Sequence, residues 1–428
     1  MLSHKAEALK FQATSDHFRA LLNWNKVLAH DKDGDMLAYV YNQKSLIYLE
    51  ASLYKHCLNT IKLVVESQRY WDAELIERKT FCDRAIGKHG KGYGINPTKE
   101  FLKLSYDANP KMPFIVDCLK LKKNSNESRY NIITEKDLKI GDVVAIEKPF
   151  YTVSFGTDET SDAVEKDLVY QRCFHCLKDN FLDLIPCDGC EKVMFCSVEC
   201  LDNGQLMYHK YECLINGLME GFQHAVRAMR SFFYALYLFD DKIEDLKTFI
   251  MSRGYVRKTV FDYDMRHVDT KQTRRDMLHC FYSFVAPDCQ IDSSIFNLIF
   301  NTHPILSTMW DKEKDFIWSF LRRNIEITQM YAHAFFRWPG NAKEMMLVED
   351  EDDTKEFQSI RKKVGGGVFL LMSLFNHSCV PNVHRHFNYN NKLHLIVCRD
   401  IKKGQELFIS LKYDLNLKFK FKSFLNIN

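Results

Sequence analysis

The sequence predicts an α+β protein: helical hairpins first, then a β-fold split in two by a cysteine module and a helical block. Three observations predict it. Apolar residues recur at helical spacing through the first ninety residues, seven of the 14 cysteines fall between Cys173 and Cys213, and β-rich texture is divided between 125–155 and 364–412. The 428 residues are enough for two to four domains, and 46% hydrophobic with 27% charged is ordinary globular composition. That composition excludes collagen-like, low-complexity and largely disordered chains. A net charge of +3 gives no electrostatic footprint for dedicated nucleic-acid binding. No run of eighteen apolar residues occurs, and MLSHKAEALKFQ has no basic flank leading into an apolar stretch. The expectation is a soluble intracellular protein, cytoplasmic and/or nuclear, with no membrane partner.

Residues 1–92 read as helices, with no proline and few glycines. Phe18, Leu21, Leu22 and Leu28 recur 36 residues later as Tyr54, Cys57, Leu58 and Val64, each set on one helix face. A segment from Trp71 to Ile86 would cover the open end. Helix pairs at this period resemble tetratricopeptide repeats, which would offer a groove for peptides; an ordinary helical bundle is the alternative. Lys88 to Thr98, Gly-rich with a proline, reads as a linker. Asn131–Thr134 and Asp142–Ile146 read as two strands of a small hairpin turning at Gly141. Helical periodicity returns from 214 to about 335, including Asp315–Ala334, and Glu349–Asp353 reads as a solvated loop. From Val364 the chain is β-rich again. Of the seven cysteines outside the cluster (Cys57, Cys82, Cys118, Cys280, Cys289, Cys379 and Cys398), most read as small core residues.

The strongest chemical signal is Cys173-x2-Cys176, Cys187-x2-Cys190, Cys196-x3-Cys200 and His209-x3-Cys213. Seven thiols and one imidazole make eight soft ligands, enough for two closed tetrahedral zinc sites with none left over for catalysis. The order and spacing resemble a MYND zinc finger. By that resemblance one zinc takes Cys173, Cys176, Cys196 and Cys200, and the other Cys187, Cys190, His209 and Cys213. The family's module docks short, often proline-containing peptides.

A second constellation follows an apolar run: Ser373-Leu-Phe375-Asn376-His377-Ser378-Cys379-Val-Pro381-Asn382, then Asp400-Ile-Lys-Lys-Gly404-Gln-Glu406-Leu-Phe-Ile-Ser410. A polar knot directly after a buried strand needs partners from backbone or ligand. The string resembles the signature of SET-domain methyltransferases, and Ser128–Thr134 occupies the place of that family's Gly-Arg-x-Leu-Val-Ala-Thr. With the cysteine module and the N-terminal helices, the chain is similar to the SET and MYND domain-containing family, in particular its tetratricopeptide-bearing member-4 branch.

The resemblance implies helical repeats at 1–92, a first SET half at 104–160, the zinc finger at 173–213, a helical SET insert at 214–363 and a second SET half at 364–412. It implies transfer of a methyl group from S-adenosylmethionine to a lysine of a protein substrate. Asn376 and His377 would hold the cofactor's amino-acid and adenine ends, Ser373 and Phe375 would line the pocket, and Glu127, Ser128 and Arg129 would face the methionine carboxylate. The sequence departs from the family at three places. Leu411 follows Ile409-Ser410 where the family has a tyrosine, which leaves Tyr413 as the candidate catalytic residue through a shift of two that keeps side-chain facing. Met330 and Tyr331 stand where the family carries Cys-Asn. Residues 413–428 form a tail, without the family's post-SET Cys-x-Cys-x2-Cys zinc site.

Overall fold

Helices and sheets are both present in the computed structural model, which describes residues 1–68, 73–88, 102–123, 130–154, 167–215, 223–253, 256–289, 294–337, 362–388 and 391–410. The chain divides into two units. One joins Met1–Pro97 with Gly156–Gly221, and the other joins Thr98–Phe155 with Phe222–Asn428.

In the first unit α1 (Leu2–Ala13), α2 (His17–His30), α3 (Leu37–Glu50), α4 (Tyr54–Gln68) and α5 (Ala73–Lys88) follow one another. Asp16 starts α2, its carboxylate accepting from Arg19 N at 3.1 Å, one of the N–H groups that no helical carbonyl can reach. Ser15 and Ser52 adopt positive φ in the tight turns joining α1 to α2 and α3 to α4. Leu21, Leu28, Cys57 and Val64 are buried, whereas Phe18 lies 39% exposed. Trp24, Tyr41, Ile47 and Tyr48 complete this core, and Leu184 and Met194 of the cysteine module join it. The module itself is a two-stranded ribbon, Ile185–Pro186 against Met194–Phe195, followed by α6 (Val198–Gly204). Ser197 caps α6 by accepting from Cys200 N at 3.1 Å.

The second unit is built on strands β1 (Ala108–Asn109), β2 (Met112–Val116), β3 (Leu119–Lys123), β4 (Tyr130–Thr134), β5 (Val143–Glu147) and β6 (Thr152–Ser154). Later in the chain come β7 (Ala332–Arg337), β8 (Lys362–Val368), β9 (Asn376–His377), β10 (Val383–Phe387), β11 (Leu393–Val397) and β12 (Phe408–Ile409). A five-stranded sheet runs β1-β2-β5-β11-β10, with Leu395 opposite Ala145 and Leu393 opposite Glu147. A three-stranded sheet runs β6-β8-β7, and β9 pairs with β12 in parallel. Gly367 in β8 has no room for a side chain: a Cβ would lie 3.0 Å from both the Phe335 ring and Pro149.

The expected hairpin of 131–134 with 142–146 does not form. β4 pairs with β3, Leu121 opposite Ile132, while β5 pairs with β2 and β11. The turn between them is tied elsewhere, because Gly141 (φ 94°) donates to Val397 O at 2.8 Å and Leu138 exchanges hydrogen bonds with Ile401. Helices α7 (Gln223–Leu238), α8 (Ile243–Arg253), α9 (Lys271–Tyr282), α10 (Ser294–Thr302) and α11 (Pro304–Tyr331) form the helical block. Phe232 meets Phe300 and Phe320 edge-on there, each burial being worth about 1.5–3 kcal/mol. Helix α11 stops at Tyr331 rather than Ala334, since Ala332–Ala334 pair with Gly366–Val368 as a strand. Cys57, Cys82, Cys118 and Cys280 are buried as expected of core residues, but Cys379 is exposed and Cys289 and Cys398 are half-buried. The linker 88–98 and the acidic run 349–353 fall outside the described residues, apart from Lys88 at the end of α5. No described helix is long and apolar enough to cross a membrane.

Candidate active site and metal centre

The eight soft ligands gather into two groups in the first unit. Cys173, Cys176, Cys196 and Cys200 form one, and Cys187, Cys190, His209 and Cys213 the other, with the ligand atoms of each group within 4.8 Å of one another. Local structure supplies the approach. Cys187 and Cys190 lie in the turn of the ribbon, Cys173 and Cys176 in an earlier turn closed by Leu177 N donating to Cys173 O at 2.9 Å, α6 presents Cys200, and the helical turn after it carries His209 and Cys213. His209 Nε2 lies 3.2 Å from Cys187 Sγ and 3.5 Å from Cys190 Sγ, so this is the ring nitrogen that could hold an ion there. Gly189 leaves space that a Cβ would take, since one there would stand 2.6 Å from Cys213 Sγ. Sulfur–sulfur hydrogen bonds push the Cys176 and Cys190 thiols up and pull Cys187 and Cys200 down, because thiolates in contact cannot all ionise unaided. Four thiols, or three thiols and an imidazole, at this spacing suit a tetrahedral divalent ion such as zinc.

Side chains from the helices hold this module. Lys32, just beyond α2, donates to Cys187 O at 2.8 Å and Cys190 O at 2.6 Å, clasping the backbone of the second group. Asn25 Nδ2 donates to Tyr170 O at 3.0 Å and Phe181 O at 2.8 Å, and its own oxygen accepts from the buried Lys44 Nζ at 2.8 Å. Tyr48 donates to Leu182 O, and His56 Nδ1 meets Asp183 Oδ1 at 2.9 Å. Burial drives the Lys44 amine down to about 8, with Asp183 partly opposing it.

In the second unit the polar string is laid out over a short 3₁₀ turn, Met372–Leu374, and then β9. Asn376 Nδ2 donates to Tyr130 O at 3.0 Å, Asn131 Oδ1 at 3.3 Å and Glu406 Oε1 at 2.6 Å. Asn382 works in both directions, donating to Glu406 O at 2.8 Å and accepting from Phe408 N at 2.7 Å. Segment 405–409 is therefore held between β4 on one side, where Leu407 N donates to Ile132 O, and β9 on the other. His377 is exposed, Asn376 half-buried and Phe375 buried, while the Ser373 hydroxyl turns inward to Phe369 O at 2.6 Å. An asparagine amide beside a carboxylate and strand-edge backbone makes a polar, part-exposed cradle. It suits a ligand with an amino-acid end, such as S-adenosylmethionine.

A SET-domain family model matches residues 129–412. The chain belongs to the SET-domain family, among the SET and MYND domain-containing proteins. Zebrafish SMYD4, named a protein-lysine N-methyltransferase, is 26% identical over 46% of this chain and 27% of its own length. Mouse SMYD5, named a protein-lysine N-trimethyltransferase, is 51% identical over 47 residues, 11% of each chain. A SET and MYND domain-containing protein of Dictyostelium discoideum is 32% identical over 23% of this chain and 22% of its own. The chain thus spans about a quarter of the SMYD4 relative and less of the others.

Of the expected site residues, Glu127, Ser128 and Arg129 lie outside the described residues, as do Leu411 and Tyr413. Tyr331 packs its ring 4.6 Å from that of Phe284 and donates to Val285 O at 2.7 Å, which fixes its hydroxyl. Sequence reasoning missed Arg257, whose guanidinium sits 4.3 Å over the Tyr130 ring, next to the backbone that Asn376 grips. It also missed Glu147, Lys32, Asn25 and Lys44. For Glu147 a signal existed, since it shares a strand face with Val143 and Ala145.

Proposed function

We propose that the chain is an S-adenosylmethionine-dependent protein-lysine N-methyltransferase, acting on histone or other proteins in the cytoplasm or nucleus, with two structural zinc ions. The observation that carries the reading is the cradle of Asn376, Glu406 and the Tyr130 backbone inside a SET-domain match that covers 129–412. When bound, the cofactor supplies a methyl carbon already activated by its sulfonium. Asn376 and His377 hold its amino-acid and adenine ends, backed by Ser373 and Phe375, with Glu127, Ser128 and Arg129 toward its carboxylate. The protein aligns the substrate amine for in-line attack, excludes water and favours the neutral lysine by desolvating it. In this reading the SET fold is interrupted by the zinc finger and a helical insert, and the N-terminal helices and zinc finger dock peptides.

Leu411 favours a second reading, an inactive adaptor on a SET scaffold, because leucine neither donates nor accepts a hydrogen bond where the family has tyrosine; in the first reading Tyr413 takes that role. Calorimetric titration of S-adenosylhomocysteine into the zinc-loaded chain tests the cofactor site. Micromolar binding that Asn376→Ala abolishes, with the fold retained, is expected, and unchanged affinity in that variant refutes the assignment. Methyl transfer to a lysine-bearing protein then separates enzyme from adaptor.

A further inference from the structure

We propose that Glu147 is a positioning residue for the cofactor site: from β5 it fixes the backbone turn that presents Asn376 and His377. The inference rests on the cofactor reading above. Glu147 ends the central strand of the five-stranded sheet and is 4% exposed. One carboxylate oxygen accepts from Leu371 N at 2.8 Å and the other from Met372 N at 3.0 Å; the Leu370 N–H adds a third interaction. These N–H groups open the 3₁₀ turn Met372–Leu374, where the first donors of a helical turn lack partners within it. The partners instead come from a side chain 224 residues earlier in the chain.

Two features distinguish this arrangement from ordinary core packing. The turn is pinned again immediately downstream, by the Ser373 hydroxyl on Phe369 O and by buried Phe375, so little slack separates Met372 from Asn376. An apolar side chain in place of Glu147 would leave two buried N–H groups without acceptors. Burial also pushes the Glu147 carboxyl up to about 7, while the backbone donors pull it down, so desolvation and the clamp's hydrogen bonds oppose each other.

Glu147→Gln keeps the shape but turns one of the two acceptors into a donor facing an N–H. The expected result is amide exchange at Leu371 and Met372 at least tenfold faster, and S-adenosylhomocysteine affinity down about tenfold. Zinc content and the melting of the first unit should stay unchanged. If the variant binds S-adenosylhomocysteine within twofold of wild type, the positioning role is overturned while the cofactor site stands. If the wild type itself does not bind it, both fall. Should the variant fail to fold, wild-type exchange decides: saturating S-adenosylhomocysteine should slow the Leu371 and Met372 amides further, and no change overturns the inference.

Discussion

Lys44 in the helical unit and Glu147 in the SET unit are both fully buried ionisable groups, yet they hold their neighbours differently. Lys44 reaches a side chain, Asn25, which passes the constraint on to the carbonyls of Tyr170 and Phe181 ahead of and within the cysteine module. Glu147 grips backbone N–H groups directly. The first device tolerates adjustment, since a lysine stem and an amide can both rotate. The second does not, because a carboxylate spanning two consecutive N–H groups sets the turn's geometry by itself. If the cysteine groups hold structural ions, as proposed, that module needs only to be kept in place, whereas the proposed cofactor site needs its atoms placed within fractions of an ångström.

The sharpest break of this comparison removes the metal. Cys190→Ala should lower zinc from two ions per chain to about one and melt the helical unit, because a structural site contributes on the order of 10 kcal/mol. The SET unit's own melting should move little; if both units collapse together, the contrast between them fails. Next, Asn25→Ala removes the amide that accepts from Lys44 and should cost about 1.5–3 kcal/mol, while Lys44→Met removes the charge itself and should cost less. Denaturant unfolding of the helical unit measures both, and equal losses would mean that packing of the lysine, not its pairing, matters.

The smallest effect is in pH. Lys44 has a folded value of about 8 against an ordinary 10.5, so the unfolded chain holds more protons between them and the helical unit gains stability as pH rises through that window. Glu147 has the opposite sign. Its folded value of about 7 exceeds an ordinary 4.5, so the native state holds the extra proton and the SET unit loses stability as pH climbs between those values. Thermal melts across pH, with Lys44→Met and Glu147→Gln each erasing its own slope, would check both.

What could be read from the chain divides along the same line. The two groups of soft side chains were legible because identity and local spacing carry the signal: a Cys-x2-Cys pair needs no distant partner to be recognised. The helices of the first unit were legible from apolar periodicity. Strand pairing was not, since alternation in 131–134 and 142–146 says that each is a strand but not which strand lies beside it, and the partner of β4 was the lysine-rich Leu119–Lys123. Lys32, Asn25 and Glu147 are single polar residues, and the groups they hold lie far along the sequence. No window of the sequence contains both halves of such a contact.

The Asn25 amide and the carbonyl of Phe181 are 156 residues apart. A ribosome adding roughly 5–20 residues per second takes roughly 8–30 s to cover that distance. During that interval the nascent helices carry a lysine and an asparagine whose partners have not yet been made, and an apolar face awaiting Leu184 and Met194. The helices must therefore wait, with that face uncovered, until the cysteine-bearing segment emerges.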